Sequence, residues 1–276
     1  MMYSSIFSVS ICIFGVIAHM FLFVAFIKDP LKCFKNSGTY LVGNLAISDL
    51  LTSLISPIYF VHRHFLGTWH SVLLFAKHVC MSESIFTIAI ISMDRFLMTV
   101  YPIKYRILME GKRLIVWLIC TWLISFGIST KVFLLDPLNK IGEVATLVIN
   151  FFAGAVIIFS CVMYGLTYYK LKKQYRNFAP ENISNRQGQA RVMKEKRFLR
   201  TISFVACIQI VCILPSATFF NFRIFQAPLM DSPSAWITTH ILYGLFYLNF
   251  AVNPLVYIWR LPNYRKTFYL LYCCKL

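Results

Sequence analysis

Seven apolar stretches, each long enough to cross a bilayer, take up most of this chain and leave it few architectures. They run approximately over residues 3–27, 38–61, 70–98, 112–134, 143–169, 198–222 and 235–259. About 20 apolar residues span the hydrocarbon core as a helix. A bilayer interior offers the backbone no water to bond to, so an open sheet is excluded and each stretch is expected to be helical. The connections are short and leave no room for a soluble domain. Only 13% of the residues are charged and 59% are hydrophobic, whereas a soluble domain is about 25% charged. The expected fold is an all-α membrane protein: a single domain over 1–276 built as a bundle of seven transmembrane helices.

Charge gives the bundle a direction. The net charge is +17. Lys28, Lys32 and Lys35 follow the first span, and Lys104, Arg106, Lys112 and Arg113 lie between the third and fourth. A dense basic run from Lys170 to Arg200 surrounds the fifth-to-sixth connection, and Arg260, Arg265, Lys266 and Lys275 follow the last span. The opposite side carries only Arg63, Lys77, Lys131, Lys140 and Arg223. By the positive-inside rule the N-terminus lies outside and the C-terminus in the cytoplasm, and a plasma-membrane location is expected. Because this positive charge borders membrane helices, it points to anionic inner-leaflet lipid and a cytosolic partner, not to nucleic acid. None of the nine cysteines falls in an outer loop or in a Cys-x-x-Cys spacing, so neither an extracellular disulfide nor a cysteine metal site is expected. One stretch, about 176–192 with Pro180, Asn185 and Gly188, reads as a loose connection.

Polar residues within the spans form a pattern. Asp94 and Arg95 end the third apolar run. A misplaced charge there costs about 2.5 kcal/mol or more, which makes such residues functional candidates. Lys77, Met81, Ser84, Ile88 and Arg95 recur at helical spacing and mark one stripe of the third helix. Asn249, Asn253 and Tyr257 repeat every four residues on the seventh, and Asn44 and Asp49 interrupt the second. A buried carboxylate needs a cation, a hydrogen-bond shell or a proton. Ser84, Asn249 and Asn253 would supply oxygen ligands to a cation beside Asp49 if these helices meet at mid-membrane. Glu83 lies deep in the third span but off the stripe, and the sequence gives no account of it. Pro57, Pro215 and Pro254 lie inside spans two, six and seven, where each removes a backbone hydrogen bond and favours a kink.

Five motifs carry a resemblance. Asn44-Leu45-Ala46-Ile47-Ser48-Asp49-Leu50, Ser92-Met93-Asp94-Arg95-Phe96, Trp122, Cys212-Ile213-Leu214-Pro215 and Asn253-Pro254-Leu255-Val256-Tyr257 occur in order on spans two, three, four, six and seven. The chain resembles the rhodopsin-like (class A) G-protein-coupled receptors over essentially its whole length. Its missing outer-loop cysteines, short second outer loop and inner end (Tyr264 to Phe268, then Cys273-Cys274) are similar to the melanocortin branch.

The resemblance implies roles. Arg95 would be held by Asp94 and by an acid at the inner end of helix six. Glu195 stands twenty residues before Pro215, about 30 Å along a helix, which suits that acid. Release of the contact would let helix six swing out, with Pro215 and Pro254 as hinges, and open a pocket for a heterotrimeric G protein. Tyr164 and Tyr257 would stabilise the open state. Asp49, Ser84, Asn249 and Asn253 correspond to a sodium pocket, so a sodium ion is implied as modulator. His19 replaces the family's asparagine on helix one. If protonated beside Asp49 it would compete with sodium, making the response weak or pH-dependent. Gln209, Ile213 and Val156 replace a phenylalanine, a tryptophan and a proline of the family's transmission machinery. They keep open a second reading, a heptahelical decoy or heteromer partner that does not signal.

An outer cavity lined by helices three, five, six and seven is expected: the third-helix stripe places Lys77 and Met81 there, with His78 adjacent, and Phe219, Phe220, Tyr243 and Tyr247 would complete it. Amine receptors of this family carry an acid here, and retinal proteins need a lysine in the last helix, which residues 235–259 lack. Lys77 points to an extracellular small ligand that is anionic or carbonyl-bearing; the alternatives are a lysine snorkelling to outer water and one paired with an outer-loop acid such as Asp136 or Glu143. After the last span, residues 262–272 read as an amphipathic helix on the inner leaflet. Cys273 and Cys274 are palmitoylation candidates, or else free thiols. A transporter would show pseudo-symmetric halves or a continuous polar path, and an enzyme would need a nucleophile, base and orienter on one face; neither pattern is present.

Overall fold

The computed structural model describes residues 2–31, 37–62, 70–108, 112–134, 140–177, 183–225 and 233–273. The spans form α1 (Met2–Lys28), α2 (Ser37–Val61), α3 (His70–Val100), α5 (Lys112–Ser129), α7 (Lys140–Asn177), α8 (Ile183–Phe225) and α9 (Pro233–Arg260). Short helices α4 (Pro102–Leu108) and α6 (Lys131–Leu134) follow α3 and α5, and α10 (Pro262–Phe268) follows α9. Seven of the described helices are long and apolar enough to cross a membrane.

The bundle is organised about α3. It packs against α2, α5 and α7; α1 packs on α2 and α9, and α8 on α7 and α9. The burial pattern is that of a protein solvated by lipid. Phe151, Ile158, Leu123 and Val211 are exposed, while Asp49, Ser84, Asp94, Asn249 and Asn253 are wholly buried. Backbones come closest where side chains are smallest. A Cβ on Gly15 of α1 would lie 2.8 Å from Ser53 Oγ on α2 and 3.1 Å from Ala251 Cβ on α9, so only glycine allows this three-helix approach. The inner half is filled by Leu41, Leu45, Ile88, Ile91, Leu199, Ile202 and Tyr257 in one apolar cluster.

Element ends follow local chemistry. Asp29 ends α1 in a left-handed conformation at φ 28°, with its N–H on the Ala25 carbonyl at 3.1 Å, and Pro30 prevents continuation. Pro102 opens α4, where a missing N–H costs nothing. Pro57, Pro215 and Pro254 lie inside α2, α8 and α9. The loose connection read over 176–192 is corrected. Helix α7 continues to Asn177 and α8 begins at Ile183, so only residues 178–182 lie outside the described chain there. Gln187 to Arg200 is rich in Gln, Ala, Arg, Lys and Glu, all strong helix formers, and their sum outweighs the cost of Gly188. Beyond α9, Tyr264 and Thr267 are buried while Arg265 and Lys266 are exposed. The following π-helical turn, Tyr269–Cys273, docks on α1 through the Tyr272 hydroxyl, which donates to the Phe21 carbonyl at 2.9 Å.

Candidate functional site

At the inner end of α3, Arg95 meets two carboxylates. Its Nη2 lies 2.9 Å from Asp94 Oδ2, and its Nη1 donates to Glu195 Oε2 on α8 at 3.1 Å. The guanidinium also lies over the Phe198 ring, 4.3 Å from its centroid, one turn along α8 from Glu195. One arginine thus joins α3 to α8 by a charge-assisted hydrogen bond and a cation–π contact. The side chains of Arg95 and Asp94 are nearly buried, whereas Glu195 is 24% exposed. Tyr105 on α4 borders the cluster and shares a 2.7 Å hydrogen bond with Ser37 Oγ on α2. Burial, and then the nearby Asp94 carboxylate, push its phenol above the usual range. Gln174 of α7 donates to the Thr99 carbonyl at 3.2 Å, and the Tyr164 hydroxyl to the Ile88 carbonyl at 3.2 Å, so α7 is fastened to α3 at two levels. The Tyr257 hydroxyl is buried without a protein partner.

At mid-membrane the Asp49 carboxylate is enclosed. Ser84 Oγ donates to Oδ1 at 2.7 Å and Asn253 Nδ2 to Oδ2 at 2.6 Å, which brings α2, α3 and α9 together. Asn253 Oδ1 and both polar atoms of Asn249 are buried without protein partners. A carboxylate, a hydroxyl and amide oxygens with free lone pairs form the donor set that a hard cation takes. His19 bonds elsewhere: its Nε2–H donates to the Phe250 carbonyl at 3.0 Å, and Nδ1 has no partner.

Above this level a cavity of about 430 Å³ opens between α2, α3, α5, α7, α8 and α9. Lys77, His78, Met81, Tyr243 and Tyr247 line it. The Lys77 ammonium sits 4.6 Å from the Tyr59 ring centroid. Phe219 does not line the cavity, which corrects the expectation. The positions of α8 that do are Ile213, Leu214, Ser216 and Ala217. Two further residues turn a helix by about 200°, which carries Phe219 to the far side.

The family described as "7 transmembrane receptor (rhodopsin family)" matches residues 20–144. Relatives align across most of the chain. The Adenosine receptor A2b of Gallus gallus is 24% identical over 85% of this chain and 78% of its own length. The Histamine H2 receptor of Homo sapiens is 24% identical over 88% and 72%. The Hydroxycarboxylic acid receptor 1 of Homo sapiens is 26% identical over 89% and 73%. Over residues 20–144 the chain matches the rhodopsin family of seven-transmembrane receptors. These relatives are receptors and not enzymes, and the chain has seven helices long and apolar enough to cross a membrane, as a seven-transmembrane receptor requires.

Sequence reasoning left one feature of this seven-helix bundle unexplained. Glu83 on α3 is wholly buried and is the hub of a three-helix polar joint. Its Oε1 accepts from Asn44 Nδ2 at 2.8 Å, Thr121 Oγ1 at 3.0 Å and Thr87 Oγ1 at 3.2 Å, and its Oε2 from Ser125 Oγ at 3.2 Å. Asn44 is oriented from its other end, since Trp122 Nε1–H donates to its Oδ1 at 3.0 Å. The motif residues Asn44 and Trp122 therefore close a joint between α2, α3 and α5. The signal available in the sequence was an acid inside an apolar span, together with Asn44, Thr121 and Ser125 in neighbouring ones. The fifth span, α7, lines the cavity as expected, but sequence reasoning named none of its lining residues; one is Asn150, whose Nδ2 donates to Asn221 Oδ1 of α8 at 2.6 Å. Of the lipidation candidates, Cys273 is exposed and free, and Cys274 lies outside the described residues.

Proposed function

We propose that this receptor, in the plasma membrane with its N-terminus outside, passes an extracellular ligand signal to a cytosolic heterotrimeric G protein. The observation that carries the reading is the Arg95 cluster, which ties α3 to α8 at the basic end of the bundle. In the closed state Asp94 and Glu195 hold the guanidinium, and α8 covers the inner face. When α8 swings away about Pro215, Arg95 and the surrounding basic residues meet the G protein, and Tyr164 and Tyr257 turn toward the opened core. Ligand and G protein act through their preference for the open state, as a population shift.

Asp49, Ser84, Asn249 and Asn253 would hold a sodium ion, whose charge favours the compact resting packing of α2, α3 and α9. Protonation of His19 would weaken that hold. The ligand is a small anionic or carbonyl-bearing molecule, read from Lys77 at the cavity wall; one relative is named a hydroxycarboxylic acid receptor, others an adenosine and a histamine receptor. Cys273 and Cys274 would anchor the inner end to lipid. The rival reading, a silent decoy or heteromer partner, draws on Gln209, which is wholly buried and leaves its amide nitrogen without a protein partner.

Nucleotide exchange on a panel of purified G proteins, with wild type and Arg95→Ala in lipid nanodiscs, tests the proposal. Exchange that disappears in Arg95→Ala supports it. No exchange with any G protein from a well-folded wild type, with or without cavity ligands, overturns it in favour of the decoy.

A further inference from the structure

The sign of the outer cavity is set by more than Lys77. Lys131 of α6 lines the same cavity from the α5 side, and His78 stands within electrostatic range of both lysines. No aspartate or glutamate is among the described lining residues. The remaining wall is mostly apolar, with Ile85 on α3, Ile149 and Ile157 on α7, Ile213 on α8 and Phe246 on α9. The site is thus two-natured, with a cationic side shared by α3 and α6 and a mainly apolar side shared by α7, α8 and α9, to which Thr146, Asn150 and Ser216 add neutral polar groups. At about 430 Å³ it encloses one small molecule.

Building on the receptor reading above, we infer that the cavity takes an amphiphilic monoanion. Its single acidic head lies between Lys77 and Lys131, and its apolar body packs on Ile85, Ile157, Ile213 and Phe246. Three competing chemistries fit less well. An amine would enter a site of its own sign, with no carboxylate among the described lining residues to receive it. A small dicarboxylate would place its second charge against isoleucine and phenylalanine. A neutral ligand of the same shape would gain the apolar contacts but not the charge-assisted hydrogen bonds, which are about twice as strong as neutral ones. An aliphatic chain and an aromatic ring would satisfy the apolar wall alike, so the shared chemistry is one acid on one apolar body.

The test is ligand-induced thermal stabilisation of the full chain in nanodiscs. The probes are decanoic acid, 3-phenylpropionic acid, decanol, 3-phenylpropanol and decylamine. At least one acid should bind roughly tenfold or more tightly than its alcohol, matching the loss of one charge-assisted contact. The amine should give no shift. Comparing the two acids separates an aliphatic from an aromatic body. Lys131→Gln and Lys77→Gln should each weaken the acid by a similar factor and leave the alcohol unchanged, while Lys131→Arg retains acid binding. Each variant's own melting temperature shows whether it folds. Acid and alcohol binding equally, or Lys131→Gln leaving acid affinity unchanged in a folded protein, overturns the inference. Because the readout is binding, it is separable from signalling. An acid that binds in a lysine-dependent way without G-protein exchange supports this inference and removes the receptor reading. Arg95-dependent exchange without preference for the acid does the reverse.

Discussion

Glu195→Gln isolates the charge of the contact between α3 and α8. The glutamine keeps the length of the side chain and a carbonyl that accepts from Arg95 Nη1, now 3.1 Å from Oε2. What disappears is the negative charge. A hydrogen bond to a charged group contributes about 1.5–3 kcal/mol and a neutral one about 0.5–1.5 kcal/mol, so the exchange weakens the closed state by about 1 kcal/mol. Glu195 is 24% exposed, which places its contribution in the lower part of that range. Asp94 and the Phe198 ring still hold the guanidinium, so the bundle itself is not at risk. A weakening of about 1 kcal/mol multiplies the open-to-closed ratio roughly fivefold, since 1.4 kcal/mol is tenfold. Glu195→Ala also removes the acceptor and raises the ratio further, to roughly tenfold or more. Ligand-free nucleotide exchange at matched receptor amounts should rise in that order. Basal exchange equal to or below wild type in both variants would refute the reasoning, because the contact would then not be holding the receptor closed.

The other predictions concern packing and the mid-membrane site. Glu83→Ala leaves one Asn44 Nδ2 hydrogen and the Ser125 hydroxyl short of an acceptor, while Thr121 keeps the Leu118 carbonyl, and should destabilise the protein by about 2–3 kcal/mol; Glu83→Gln, which keeps an acceptor, should cost about 1 kcal/mol, both read by thermal unfolding in nanodiscs. Gly15→Ala forces apart the junction of α1, α2 and α9 and should cost about 1–3 kcal/mol, whereas Gly127→Ala, whose Cβ meets nothing within 4 Å, should be neutral in the same assay. Sodium should lower the basal exchange of wild type and have no effect on Asp49→Asn; a sodium response that persists in Asp49→Asn would exclude the Asp49 site.

The inner cluster was legible in the sequence because charge is rare in lipid and helix geometry is regular. Asp94 and Arg95 stand out at the end of an apolar run, the resemblance to class A receptors calls for an acid at the inner end of helix six, and a rise of 1.5 Å per residue from Pro215 brings Glu195 to that level. The same regularity placed Lys77, His78 and Met81 on one wall. Glu83 escaped because its partners lie on two other helices, and no spacing within α3 predicts how α2 and α5 rotate to meet it. Which residues of α7 line the cavity escaped for a related reason. That span is apolar on nearly all sides, so periodicity does not tell its lipid face from its cavity face. Phe219 was misplaced because aromatic character alone does not fix a direction, and two residues of rotation separate it from the lining position Ala217. The inner extension of α8 was hidden by Gly188 and Pro180, turn signals that the surrounding helix formers outweigh or that fall before the helix begins.

The central claim is that Arg95 and Glu195 keep the inner end of α8 against α3, and that signalling separates them. It is tested most directly by a distance measured in lipid nanodiscs with pulsed electron paramagnetic resonance. Non-cysteine labels would be placed at Ile103, exposed just past α3, and at Arg200, exposed on α8. The account predicts one short-distance population in wild type, and a second, longer one that appears in Glu195→Gln and dominates when G protein is bound. An unchanged distance distribution across all three samples would contradict it.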